Sequence, residues 1–242
     1  MKKYTLLLML AVLIAGCGGN IFESFEDKKT KEGIDFKISR DVDAENWEDV
    51  LNNPNASAME YSAAAMGLAG FDIEEVVNAL SNVDNSSSTS DLGPFADIPL
   101  NPEALDELAL AKVKLQSELE NNPNDPDLAY QLVMVSLVDA ATQLAYGVQQ
   151  IGGDISNGIA TGDAKALAND ADVINEIVGA VAEDVKNVLE NVSDAGFSTD
   201  VTDEINNIVL GDATTPGINY DGVGDVSADD LTNYLANYES GA

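Results

Sequence analysis

Between Val173 and Val192 apolar side chains return every three or four positions: Val173 or Ile174, Ile177, Val178, Val181, Val185, Val188, Leu189 and Val192. A period near 3.6 places them along one face of a long helix, whereas a strand would alternate with period two. Glu176, Glu183, Asp184 and Lys186 occupy the rest, so the stripe is expected to pack into its own domain rather than form a coiled-coil seam. Weaker versions of the pattern recur along the chain. Trp47, Val50 and Leu51 mark a short helical turn, and an Ala- and Met-rich segment follows from about Ser57 to Ala69. Ile73, Val76, Val77 and Leu80 then share a face, as do Leu105, Leu108, Ala109, Val113, Leu115 and Leu119. After Pro126 an apolar run extends to about Gln150; Val201, Ile205, Ile208 and Val209 lie within about 200–210, and Leu231, Tyr234 and Leu235 within 228–238. The pattern predicts an all-α fold.

Punctuation between these stretches sets the organisation. Gly70 ends one helix, and Asp72 with Glu75 reads as a capping box for the next. The Ser- and Asn-rich stretch 84–101 cannot bury a face and reads as a loop, after which Asn101-Pro102 restarts the helix with a cap and a first-turn proline. Ile151-Gly152-Gly153-Asp154 interrupts again. The expected units are a leader 1–16, a tether 17–42, a helical domain 43–150, a second helical segment 151–210 and a C-terminal loop and helix 211–242. In the tether, Ile34, Phe36 and Ile38 alternate with polar residues, the spacing of an extended segment.

The leader carries an address. Lys2 and Lys3 precede an apolar run from Tyr4 to Ala15, too short for the ~20 residues that cross a bilayer as a helix. Ile14-Ala15-Gly16-Cys17 follows, ending in the only cysteine of the chain. These four residues resemble the lipobox of bacterial lipoproteins. The resemblance implies cleavage before Cys17, diacylglycerol on its sulfur and an acyl chain on the new amino group. Two or more chains hold a protein stably at a membrane. Gly18, where an Asp would favour inner-membrane retention in such lipoproteins, points to the outer membrane.

Charge narrows the partners. The chain has 43 acidic and 11 basic residues, a net charge of −32, and after Arg40 the only basic residues are Lys112, Lys114, Lys165 and Lys186. Such a surface repels nucleic acid and anionic headgroups alike. There is no histidine, which removes imidazole acid–base chemistry and His metal ligation. A lipidated Cys17 leaves no thiol, and no phosphate loop, dinucleotide fingerprint or Gly-x-Ser-x-Gly elbow is present. The chain is therefore expected not to be an enzyme and to require no cofactor.

Asn121-Asn122-Pro123-Asn124 repeats Asn52-Asn53-Pro54-Asn55, and each proline is followed seven residues later by a tyrosine, Tyr61 or Tyr130, in an apolar helix. The two turns lie close to twice the ~34-residue period of tetratricopeptide repeats apart. The stretch 44–150 resembles a divergent array of such repeats, although the Ser-rich stretch replaces any middle repeat and the helix after Pro126 exceeds repeat length. The resemblance implies antiparallel helical hairpins with a concave surface for a protein partner, for which Tyr61, Met66, Tyr130 and Met134 are the candidate groove residues.

Near the C-terminus, Asn219-Tyr220-Asp221-Gly222-Val223-Gly224-Asp225-Val226-Ser227-Ala228-Asp229-Asp230 resembles an EF-hand loop of the dockerin-like kind. Asn219, Asp221, Asp225 (through its carbonyl), Ser227 and Asp230 take ligand positions, Gly224 the bend and Val226 the anchor. Asn219 replaces the usual Asp, Val223 offers no oxygen, and Asp230 reaches less far than Glu. The competing reading is a rigid Gly/Asp turn. The expected function is a non-catalytic envelope lipoprotein that binds or scaffolds a protein, with a calcium-dependent surface or adhesion-type component as the alternative.

Overall fold

The computed structural model describes residues 31–71, 100–156, 158–210, 217–218 and 226–237. The all-α expectation holds. Among the described residues there are nine α-helices and no strand, only an isolated bridge between Ser156 and Gly158. They are α1 (Lys31–Asp43), α2 (Trp47–Leu51), α3 (Ala58–Leu68), α4 (Leu105–Asn121), α5 (Pro126–Gln150), α6 (Thr161–Leu167), α7 (Ala171–Asn191), α8 (Thr199–Leu210) and α9 (Ala228–Asn237). A 3₁₀ turn, Pro102–Ala104, leads into α4. The expected helix over 73–80 and most of the 84–101 loop lie outside the described residues.

Helix α5 is the central element. Its start is fixed by Asp125, whose side chain accepts from the Asp127 and Leu128 N–H groups, and by Pro126 at the first position. Leu132, Val133, Met134, Val135, Val138, Ala141, Leu144, Ala145 and Val148 are all buried, so the helix is apolar nearly all round, as an interior helix must be. By length and composition α5 could cross a membrane, but 89% of its most apolar stretch is covered by the rest of the protein. It packs against α7 on one side and α4 on another, with α3 and α6 completing the enclosure. Gly152, at φ +82°, ends it in a Schellman arrangement: the Gly153 N–H donates to the Val148 carbonyl at 2.9 Å and the Gly152 N–H to that of Gln149 at 3.0 Å.

The stripe read over 173–192 is the buried face of α7, capped by the Asp170 side chain on the Val173 N–H. Helix α3 begins at a reciprocal cap, Ser57 with Glu60, and ends at Gly70 (φ +93°) in a second Schellman arrangement, Phe71 N–H to the Met66 carbonyl and Gly70 N–H to that of Gly67. The short α6 was not foreseen; only Ala164 and Leu167 of its seven residues are buried, too few to show a period.

Part of the stretch expected to be a tether is helical. Residues 31–43 are helical, and Ile38 is buried with Val50 and Ala64, while Ile34, Val42 and Trp47 pack against that small cluster. Ile34, Ile38 and Val42 are spaced by four, a helical face, and Phe36, the residue that suggested alternation, is 49% exposed. Two periods fitted the same residues, and packing selected the helical one.

Candidate functional site

Lys112, Asp139 and Asp184 come from α4, α5 and α7 and meet in the core. Their exposures are 4%, 1% and 0%. The Lys112 Nζ lies 2.6 Å from Asp139 Oδ2 and also donates to Asp184 Oδ1. Farther along the same helices Gln116 Nε2 donates to Asn187 Oδ1 at 2.9 Å. Lys112 pairs with Asp184 and Gln116 with Asn187, so α4 and α7 run in the same direction. Helix α5, reached from α4 through the short connection 122–125, runs against both.

The electrostatics of this cluster are unusual. Burial raises both carboxyls above the ordinary aspartate value; the ammonium pulls each back without cancelling the effect. Asp184 is raised well above, because Asp139 adds like-charge repulsion to desolvation. Burial alone would lower the Lys112 ammonium, but Asp184 and Asp139 together hold it above its ordinary value. Gln143 adds a hydrogen bond to the Asp139 carboxyl, but Asp184 Oδ2, Ser136 Oγ and Asn187 Nδ2 are buried without a partner. The arrangement can hold an ammonium and a proton. Among the described residues no group of three or more carboxylates could hold a metal ion.

The sequence reading placed all three residues elsewhere or passed them over. The pattern puts Asp184 on the polar side of α7, yet it sits between the buried Val181 and Val185 with no exposure. On α4 the buried positions are Leu108, Ala111, Lys112 and Leu115, whereas Ala109 is exposed and Val113 is 59% exposed. The apolar side is thus rotated from the expected one. A signal did exist: Lys112 falls four after Leu108 and three before Leu115, and Asp139 interrupts the long apolar run from Leu128 to Val148.

The candidate groove residues do not form an open groove. Met66 and Met134 are core side chains at 1% exposure each. Tyr61 is buried too: its hydroxyl donates to Glu107, its ring lies 4.8 Å under the Lys114 ammonium, and burial first, then Glu107, raises its hydroxyl above the usual phenol range. Tyr130 packs on Phe197 with ring centroids 4.8 Å apart. The two Asn-Pro-Asn turns share one detail, a side-chain amide (Asn52, Asn122) reaching back to a carbonyl four residues earlier. They part afterwards, since the next cap is Ser57, three beyond Pro54, but Asp125, two beyond Pro123. The seven-residue Pro–Tyr spacing therefore puts the two tyrosines at different helical positions. No family model matches this chain, and no curated protein or solved structure matches it either.

Of the loop residues, Asn219, Asp221 and Asp225 lie outside the described residues. Ser227 and Asp230 do come together, as a cap on α9: the Ser227 N–H donates to Asp230 Oδ2 at 2.9 Å and the Asp230 N–H to Ser227 Oγ at 3.2 Å. One oxygen that a calcium ion would need is thus engaged in starting the helix. Ile14, Ala15, Gly16 and Cys17 are also outside the described residues.

Proposed function

We propose that the protein is a non-catalytic, lipid-anchored envelope component whose helical domain binds a protein partner. The placement rests on Ile14-Ala15-Gly16-Cys17, followed by Gly18, which supports the outer membrane. The contact surface is moved from the buried Met66 and Met134 to the outward face of α4, where Leu110 is 45% and Val113 59% exposed between the exposed Asp106 and Glu103 on one side and Glu118 and Glu120 on the other. Exposed aliphatics among carboxylates suit a basic, amphipathic partner surface.

Metabolic labelling with palmitate is expected to mark the wild type and not Cys17→Ser, which should leave the membrane fraction. For the partner, a photo-crosslinking side chain at Val113 is expected to give a discrete adduct that the same group at the exposed Asn175 of α7 does not give. Equal adducts from both positions, or none, would count against the α4 surface. The calcium-dependent alternative keeps its sequence motif as its support.

A further inference from the structure

We propose that Lys112, Asp139 and Asp184 form a binding site for a single proton, and that this proton locks α7 onto the α4–α5 pair. One ammonium bridges two carboxylates from different helices, so with all three groups ionised the cluster carries one uncompensated negative charge inside an apolar core. A buried, unpaired charge is far costlier than a protonated carboxyl, and the core is relieved by taking up one proton. The charged groups that face the site are Lys112 from α4, Asp139 from α5, and Asp184 with Glu183 from α7. Three of these four are acidic, so the surroundings favour uptake. The carboxylate oxygen left without a partner on the more strongly raised carboxyl, Asp184 Oδ2, is where the proton would sit, since Gln143 also hydrogen-bonds to Asp139. The raised direction for both carboxyls agrees. The lock works through geometry: loss of the proton leaves like charges on α5 and α7 bridged by one amine, and the relief open to the fold is to move Asp184, and α7 with it, towards water.

The site stands apart from the anchor and partner reading and can fail without it. The test is a carboxyl-carbon NMR titration of the full chain carrying ¹³C-aspartate, with the two resonances assigned by Asp139→Asn and Asp184→Asn. One buried carboxyl is expected to stay protonated after the exposed aspartates have titrated near the usual ~3.9. As it deprotonates, amide protection across 171–191, taken relative to the intrinsic base-catalysed exchange at each pH, should fall by about tenfold for each unit that its titration point exceeds that value. Asp184→Asn, checked by circular dichroism, should remove that cluster-dependent fall in protection over the same interval. Both carbons titrating with the exposed aspartates would overturn the proposal, as would an Asp184→Asn protein whose α7 keeps the wild-type pH dependence. If Asp184→Asn does not fold, the wild-type titration assigned by Asp139→Asn decides alone.

Discussion

A Lys112→Met substitution keeps most of the side-chain volume and removes the only cation between Asp139 and Asp184. The carboxylate that the ammonium balances would then be buried beside the protonated carboxyl with no cation opposite it. Breaking a buried pair by deleting one partner costs about 3–5 kcal/mol, so equilibrium urea unfolding of Lys112→Met should show a loss of that order. Replacing all three residues with apolar ones of similar size should recover most of it, since desolvation largely offsets the attraction within such clusters. The pH dependence has a definite sign. The Asp184 carboxyl is raised in the folded state, so between about 3.9, its unfolded value, and its folded value the native protein holds a proton that the unfolded chain has lost. The stability it contributes is complete below that window and falls as pH rises through it. The general self-repulsion of a chain at net −32 works in the same direction. The informative quantity is therefore the difference between wild type and Asp184→Asn in thermal midpoint across pH ~4–8: the variant should lose the share of the slope that belongs to the cluster.

Among the elements, the small outer cluster of α1, α2 and α3 rests on one close approach. A Cβ built on Gly67 would overlap the Trp47 ring, so the indole of α2 lies directly on the backbone of α3. Gly67→Ala gains helix propensity on α3 but must displace the ring, and overpacking of this kind costs about 1–3 kcal/mol. The expected result is a lower unfolding midpoint together with a shifted Trp47 emission, this being the only tryptophan. What could be read at this scale depended on how many apolar residues each helix carried. The ends of α3, α5 and α7 were legible because Gly70, Gly152, Pro126 and the stripe from Val173 each have a local cause that tertiary packing does not override. Helix α1 was misread because Ile34, Phe36 and Ile38 satisfy period two as readily as Ile34, Ile38 and Val42 satisfy period four. The face of α4 was misread because Val113 looks like core and Lys112 looks like surface; only the approach of Asp139 and Asp184 from two other helices makes the lysine an interior residue. The candidate site was illegible for the same reason, as it exists only where three helices cross.

For the molecule as a whole the dominant quantity is its charge. A net −32 borne by a 242-residue chain disfavours the compact state through self-repulsion, which added salt screens. The thermal midpoint should therefore rise steadily as sodium chloride goes from ~10 mM to ~500 mM, over which the Debye length shrinks from roughly 30 Å to a few ångströms. Divalent cations separate this general effect from a specific site in the C-terminal loop. Screening depends on charge and ionic strength alone, so magnesium and calcium at matched ionic strength should raise the midpoint equally if Ser227 and Asp230 act only as the cap on α9. A loop that uses Asn219, Asp221, Asp225, Ser227 and Asp230 as ligands would favour calcium, because magnesium demands a tighter octahedral shell and sheds water reluctantly. The engaged Asp230 carboxylate leads us to expect the equal response, measured by calorimetry in each cation at ~1–10 mM, at or above the ~0.1–1 mM at which weak extracellular loops bind. An excess specific to calcium that disappears in Asp221→Ala would instead place an ion in the loop, with the Ser227–Asp230 cap giving way to admit it.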